Sequence, residues 1–157
     1  MKAYWKTFII YIPVALLISG LLIGCGGKDK PPVPEVWTDA LVHAALKARN
    51  PEYTGKAAFR IEDGKVIGME LSGANVTDLS SLAGMGIRGL DLRGSGIDDI
   101  SGLKGLPLKE LYLDDTKVAD LEPLRGMKLK KLYLNNTEVS DLSPLEGMGL
   151  TMLNLLG

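Results

Sequence analysis

The sequence predicts an α/β solenoid of about four and a half rungs, with parallel strands and short helical convex turns, entered through an N-terminal helix and β-hairpin. Three observations predict it. Leu71, Leu92, Leu113, Leu134 and Leu155 recur at a step of 21 residues. Each of the last four closes a Leu-x-Leu triplet, as in the identical Leu-Tyr-Leu of residues 111–113 and 132–134. An aspartate follows at the same step, at Asp78, Asp99, Asp120 and Asp141. A fixed short period with leucines in register stacks as rungs rather than folding around one central core.

The N-terminus reads as a targeting segment. Lys2 and Lys6 precede an apolar run that ends in Leu22-Ile23-Gly24-Cys25. A basic start followed by an apolar stretch has the form of a secretory signal. Its end resembles the bacterial lipoprotein signal. That resemblance implies that Leu22, Ile23 and Gly24 are recognised and that the Cys25 sulfur carries lipid, giving a signal peptide over 1–24. The alternative is an uncleaved signal anchor, with Tyr4 and Trp5 at the interface. Either way the two lysines stay inside, and the rest of the chain lies outside the cytoplasmic membrane or on the outer membrane. Residues 25–36 contain Gly26, Gly27, Pro31, Pro32 and Pro34 and read as a tether holding the domain off the bilayer.

A cap is expected over 37–65. Thr38 and Asp39 open a helix, as N-cap and first-turn acid, that runs to Arg49 and stops at Asn50-Pro51. Leu41, Val42, Ala45 and Leu46 share its apolar face, and Trp37 stands five residues before Val42, the spacing of a hydrophobic staple. His43 has no second histidine in the chain and reads as a packing residue. Two apolar runs around Asp63-Gly64 predict a hairpin. Its second strand, from Val66 to Leu71, coincides with the first repeat strand.

Over 66–157 further columns match: Val76, Ile97, Val118, Val139; Leu82, Leu103, Leu124, Leu145; and Gly84, Gly105, Gly126, Gly147. The pattern resembles the leucine-rich repeat family in its short bacterial, internalin-like form. That resemblance implies a rigid sheet used for protein–protein contact; no cofactor and no metal are expected from the residues. Residues 38–70 also resemble the lead-in to such arrays in bacterial proteins. The column where the family has Asn reads Ala74, Ser95, Thr116, Thr137, so a narrower, less polar turn is expected, or one helped by ordered water. The Asp column is placed to bond the next backbone N–H groups and start the convex turn, rather than to gather metal. Pro123 and Pro144 suit the first turn of that short helix, and the glycine column suits its end. Gly84-Met85-Gly86-Ile87-Arg88-Gly89 matches a dinucleotide fingerprint in letters only, because it leads into a strand instead of opening a helix.

In this geometry a central row, Glu70, Asp91, Tyr112, Tyr133 and Asn154, lines the concave face. Glu110 and Lys131 flank it on one side, and Arg93, Asp114 and Asn135 on the other. This row is the candidate partner-binding surface, with Tyr112 stacked on Tyr133. Exposed tyrosines on a rigid sheet give contact area at small entropic cost; they could equally serve only to cover the sheet.

Formal net charge is −1, and −3 without Lys2 and Lys6, which gives no electrostatic reason to expect nucleic acid. One histidine and one lipid-committed cysteine leave no nucleophile–base pair. The expected function is a non-catalytic, lipid-anchored envelope protein that binds a protein partner. The alternatives are a fragment of a longer receptor or adhesin, and an envelope hydrolase. Residues 151–157 start a fifth strand without a visible cap. Leu142, Leu145, Leu150, Leu153 and Leu155 are therefore expected to face an uncovered end, which invites self-association.

Overall fold

A computed structural model describes residues 36–156. The signal and Cys25, and nearly all of the tether, lie outside the described residues. Helix α1 (Asp39–Arg49) starts where expected: Thr38 Oγ1 accepts a hydrogen bond from the Leu41 N–H at 3.4 Å, and Asp39 stands in the first turn. Val42 and Leu46 are fully buried, whereas Leu41 and Ala45 are half-buried, so the apolar stripe is narrower than the sequence suggests. His43 does pack. Its Nδ1 lies 2.6 Å from the Tyr53 hydroxyl, and its ring meets Phe59 edge-on at 4.9 Å.

The hairpin follows as β1 (Ala58–Glu62) and β2 (Lys65–Glu70). Asp63 and Gly64 both have positive φ, 48° and 69°, the left-handed pair that matches hairpin twist. Glu62 pairs with Lys65 and Ile61 with Val66, but Arg60 pairs with Gly68, so Ile67 is bulged out. Beyond the bulge β2 turns its other edge to β3 (Gly89–Asp91) and becomes the first strand of the stack.

The stack continues through β4 (Glu110–Tyr112), β5 (Lys131–Tyr133) and β6 (Met152–Asn154). All six strands form one sheet in chain order; β1 is antiparallel to β2, and the rest are parallel. Each column pairs with the same column one rung on, as Leu90 with Leu111 and Leu111 with Leu132. Both leucines of the inner triplets point inward: Leu90, Leu92, Leu111, Leu113, Leu132 and Leu134 are at most 2% exposed. Burying each contributes about 1.5–3 kcal/mol, the main source of stacking energy.

The chain leaves each of these strands through a tight turn. The Ala74 and Ser95 N–H groups donate to Leu71 and Leu92 carbonyls, with Gly73 and Gly94 at positive φ. Asp115 and Asn136 occupy the same left-handed position one and two rungs later. The departure from asparagine is handled differently in successive rungs. Thr116 and Thr137 hydroxyls donate to Leu113 and Leu134 carbonyls at 2.7 and 2.9 Å. Among the described residues the buried Ser95 hydroxyl has no protein partner, and Ala74 fills its place with a methyl group.

The aspartate column starts each convex turn. Asp78, Asp99, Asp120 and Asp141 accept from the N–H two residues on, at 2.7–2.8 Å. The convex elements are three-residue 3-10 turns: Ser80–Leu82, Ser101–Leu103, Glu122–Leu124 and Ser143–Leu145. Pro123 and Pro144 are their second residues, within the first turn, where no N–H is needed. The glycines do not cap these helices. Met85 N–H donates to Leu82 O across Ala83 (φ −58°, ψ 127°) and Gly84 (φ 84°), a type II turn. A three-residue 3-10 segment has no α-helical C-terminus to cap, so glycine serves the turn that follows.

The last rung corrects a second expectation. Leu142, Leu153 and Leu155 are 39%, 40% and 43% exposed, but Leu145 is only 8% exposed and Leu150 is half-buried. The final 3-10 turn stacks on the one before it, which draws Leu145 into the shared core.

Candidate functional site

Strand pairing alone aligns the central row. Glu70 pairs with Asp91, Asp91 with Tyr112, Tyr112 with Tyr133, and Tyr133 with Asn154. Alternation puts the leucine between each pair of flanking residues into the core, so these side chains stand on the outer face. Tyr112 and Tyr133 are half-buried, their ring centroids 4.7 Å apart and their planes 18° from parallel. This is the stacking that a 21-residue step requires of identical residues on neighbouring strands.

The pair is held from both sides. Arg93 forks onto Asp91, with Nε 3.0 Å from both carboxylate oxygens and Nη2 2.6 Å from Oδ2. The Arg93 N–H also donates to Asp91 Oδ1 at 3.0 Å. The guanidinium lies over Tyr112, Cζ 5.4 Å from the ring centroid, a cation–π arrangement. On the other flank the Tyr112 hydroxyl donates to Glu110 Oε2 at 3.1 Å, and Lys131 Nζ lies 2.9 Å from Glu110 Oε1. The Tyr133 hydroxyl reaches Met152 Sδ at 2.7 Å.

These contacts set the local acidities. Burial pushes the Asp91 carboxyl up, but the Arg93 fork and backbone N–H outweigh it and hold it below the usual range. Lys131 bonded to Glu110 holds that carboxyl low as well, against a smaller effect of burial. Burial, followed by the neighbouring Glu110, raises the Tyr112 phenol. At neutral pH the Tyr112 phenol therefore stays neutral between two ion pairs.

Asp114 and Asn135 form a second column. Asp114 Oδ1 accepts from the Asn135 backbone N–H at 2.9 Å and from its amide at 2.5 Å. Asn135 Oδ1 in turn accepts from Leu156 N–H at 2.8 Å. Thus Asp91, Arg93, Glu110, Tyr112, Lys131 and Tyr133 meet as one cluster, and Asp114 with Asn135 make another. Glu70 and Asn154 share the row by register, but among the described residues their side chains make no hydrogen bond to either cluster. Met152, which meets the Tyr133 hydroxyl, stands where the 21-residue step puts it, in the flanking column of Glu110 and Lys131. One participant was not legible as such: Asp115, which accepts from Asn136 Nδ2 at 2.9 Å, and its 21-residue column is the only signal that could have found it.

Solved structures similar to the chain include two internalins. The chain is similar to the crystal structure of an internalin C2 from Listeria monocytogenes, with 28% identity and TM-score 0.46, over 55% of this chain and 50% of that one. It is also similar to an internalin (inlF) from the same organism, with 23% identity and TM-score 0.47, over 77% of this chain and 44% of that one. The chain thus spans about half the length of these structures or less. No protein-family model and no curated protein matches it.

Proposed function

We propose that this chain is a lipid-anchored, non-catalytic protein of the bacterial cell envelope whose leucine-rich-repeat sheet binds a protein partner through its concave face. The observation that carries the proposal is the Tyr112–Tyr133 stack, which is half-exposed and fixed between the Asp91–Arg93 and Glu110–Lys131 pairs. Rigid aromatics of this kind supply apolar area and hydroxyls without freezing many rotors on binding. The anchor rests on the Leu22-Ile23-Gly24-Cys25 motif after its apolar run.

Two experiments test it. The full chain, used as bait in envelope extracts, should retain a partner that Tyr112→Ala/Tyr133→Ala does not. Equal retention by both would refute the concave-face proposal. Mass spectrometry should find Cys25 as the lipidated first residue, and an unmodified Cys25 in an uncleaved chain would remove the anchor.

The exposed Leu142, Leu153 and Leu155 favour a second reading, in which another copy or further rungs cover the last one. Light scattering across a concentration series tests the first possibility. Reading the DNA beyond codon 157 for further 21-residue repeats tests the second.

A further inference from the structure

All parallel strands start on one edge of the sheet, so the loops that lead into them share that edge. The loops that leave the strands share the other. The near-balanced charge of the chain is divided between these edges. Beside the paired Arg125 and one acid, Glu146, the lead-in loops carry five cations, Arg88, Lys104, Lys109, Lys128 and Lys130, all exposed, whereas the leaving loops carry Asp98, Asp99, Asp115, Asp120 and Asp141 against Lys117 and the paired Arg93. Three of the cations form a ladder: Lys109 N–H donates to Arg88 O, and Lys130 N–H to Lys109 O, each at 2.7 Å. Among the described residues none of the five cations joins an ion pair. Lys109 and Lys130 instead extend along the edge to the Lys128 and Gly149 carbonyls, at 3.3 and 3.2 Å, which leaves their charges uncompensated.

Like charges stacked one rung apart, about 4.8 Å, repel one another. An external anionic surface relieves that repulsion. The position of the tether says which surface. Trp37 N–H donates to Gly64 O at 2.6 Å, and Gly64 directly precedes Lys65, where β2 begins. The tether therefore joins the domain on the same edge as the cations. Residues 26–36, if extended, reach roughly 34 Å from that point, at about 3.1 Å per residue. We propose that this basic edge docks on the anionic phosphate headgroups of the bilayer that the N-terminal segment enters. The sheet then stands on edge, with the Tyr112–Tyr133 face left open to a partner. The proposal rests on the envelope reading above for its bilayer, but not on the identity of any protein partner.

The test uses the full chain with phosphatidylcholine vesicles and with vesicles containing phosphatidylglycerol. Lysines are pulsed with an amine-reactive acetylating reagent and read by mass spectrometry. Docking predicts that Lys104, Lys109, Lys128 and Lys130 label several-fold more slowly on the anionic vesicles, that 0.5 M salt removes the difference, and that Lys117 on the opposite edge labels equally throughout. In Lys109→Glu/Lys130→Glu, Lys104 and Lys128 should lose their protection while the thermal transition is retained. Equal labelling of the wild-type edge on both vesicles overturns the proposal. So does protection that grows with protein concentration in vesicle-free detergent, which would assign the edge to a second copy. Failure of the anchor reads differently: the chain would not float with neutral vesicles, yet protection on anionic ones would still report docking.

Discussion

Asn50 and Asp78 are 28 residues apart and joined by two hydrogen bonds. Asn50 Oδ1 accepts from the Asp78 N–H at 2.9 Å, and Asn50 Nδ2 donates to the Asp78 carbonyl at 3.0 Å. The same amide accepts from Thr77 N–H at 2.9 Å and donates to Leu46 O at 3.1 Å. One side chain, 3% exposed, thus ends α1 and fastens it to the first convex turn.

Asn50→Ala should therefore unfold the domain more easily than its small change in volume suggests. It leaves the Thr77 and Asp78 N–H groups and the Asp78 carbonyl short of a partner, while the Leu46 carbonyl keeps the residue-50 N–H, for a cost of about 2–4 kcal/mol. Urea denaturation measures it, and a loss below about 0.5 kcal/mol would mean that water replaces the amide.

The tyrosine stack predicts coupling. In a double-mutant cycle of Tyr112→Ala and Tyr133→Ala, the pair should show about 0.5–1.5 kcal/mol of interaction energy. Additive single effects would show that the rings only share a surface. Because the pair lies on the outer face, the double variant should still fold, which keeps the partner-capture test interpretable.

Acid should weaken the fold through carboxylates that are held below their usual range. Hydrogen bonds from Ser80 do this for Asp78, and from the Ser143 backbone for Asp141. Glu110 joins them through Lys131. A carboxyl with a depressed folded pKa takes up its proton first in the unfolded chain, so its stabilisation is fully present above the ordinary value of about 3.9–4.3 and is lost as pH falls below it. The urea midpoint should hold between pH 7 and 5.5 and fall by pH 3.5. Asp78→Asn/Asp141→Asn should flatten that fall, and an unaltered slope would contradict the assignment.

Gly102 tests the packing of the convex turns. A Cβ there would meet the Leu79 backbone carbon at 2.7 Å and its carbonyl oxygen at 2.9 Å, atoms that cannot swing aside. Gly102→Ala should cost about 1–3 kcal/mol. Gly96→Ala, where a Cβ meets nothing within 4 Å, should be neutral or slightly stabilising. If the two variants melt alike, the rungs have room to shift.

Local chemistry made much of this legible beforehand. Asp63-Gly64 could hardly be anything but a hairpin turn, and the 21-residue leucine step assigned Leu90, Leu111 and Leu132 to the core because only inward columns must be apolar. The aspartate column announced its turns because a short carboxylate bonds its own backbone two residues on. The glycine column was misassigned for a related reason: a left-handed residue serves a helix end and a type II turn alike, and only the length of the convex element tells them apart.

The sequence by itself therefore determined the repeat, its inward faces, its turn starts and the row that carries Tyr112 and Tyr133. Each of these follows from a period or from a contact a few residues long. Only the tertiary structure decided that Asn50 reaches Asp78, that Arg93 lies over the Tyr112 ring of the next rung, and that Arg88, Lys109 and Lys130 share an edge with the Trp37–Gly64 contact. Those relationships join residues from different elements, and their geometry depends on how cap and rungs stack, which no local pattern encodes.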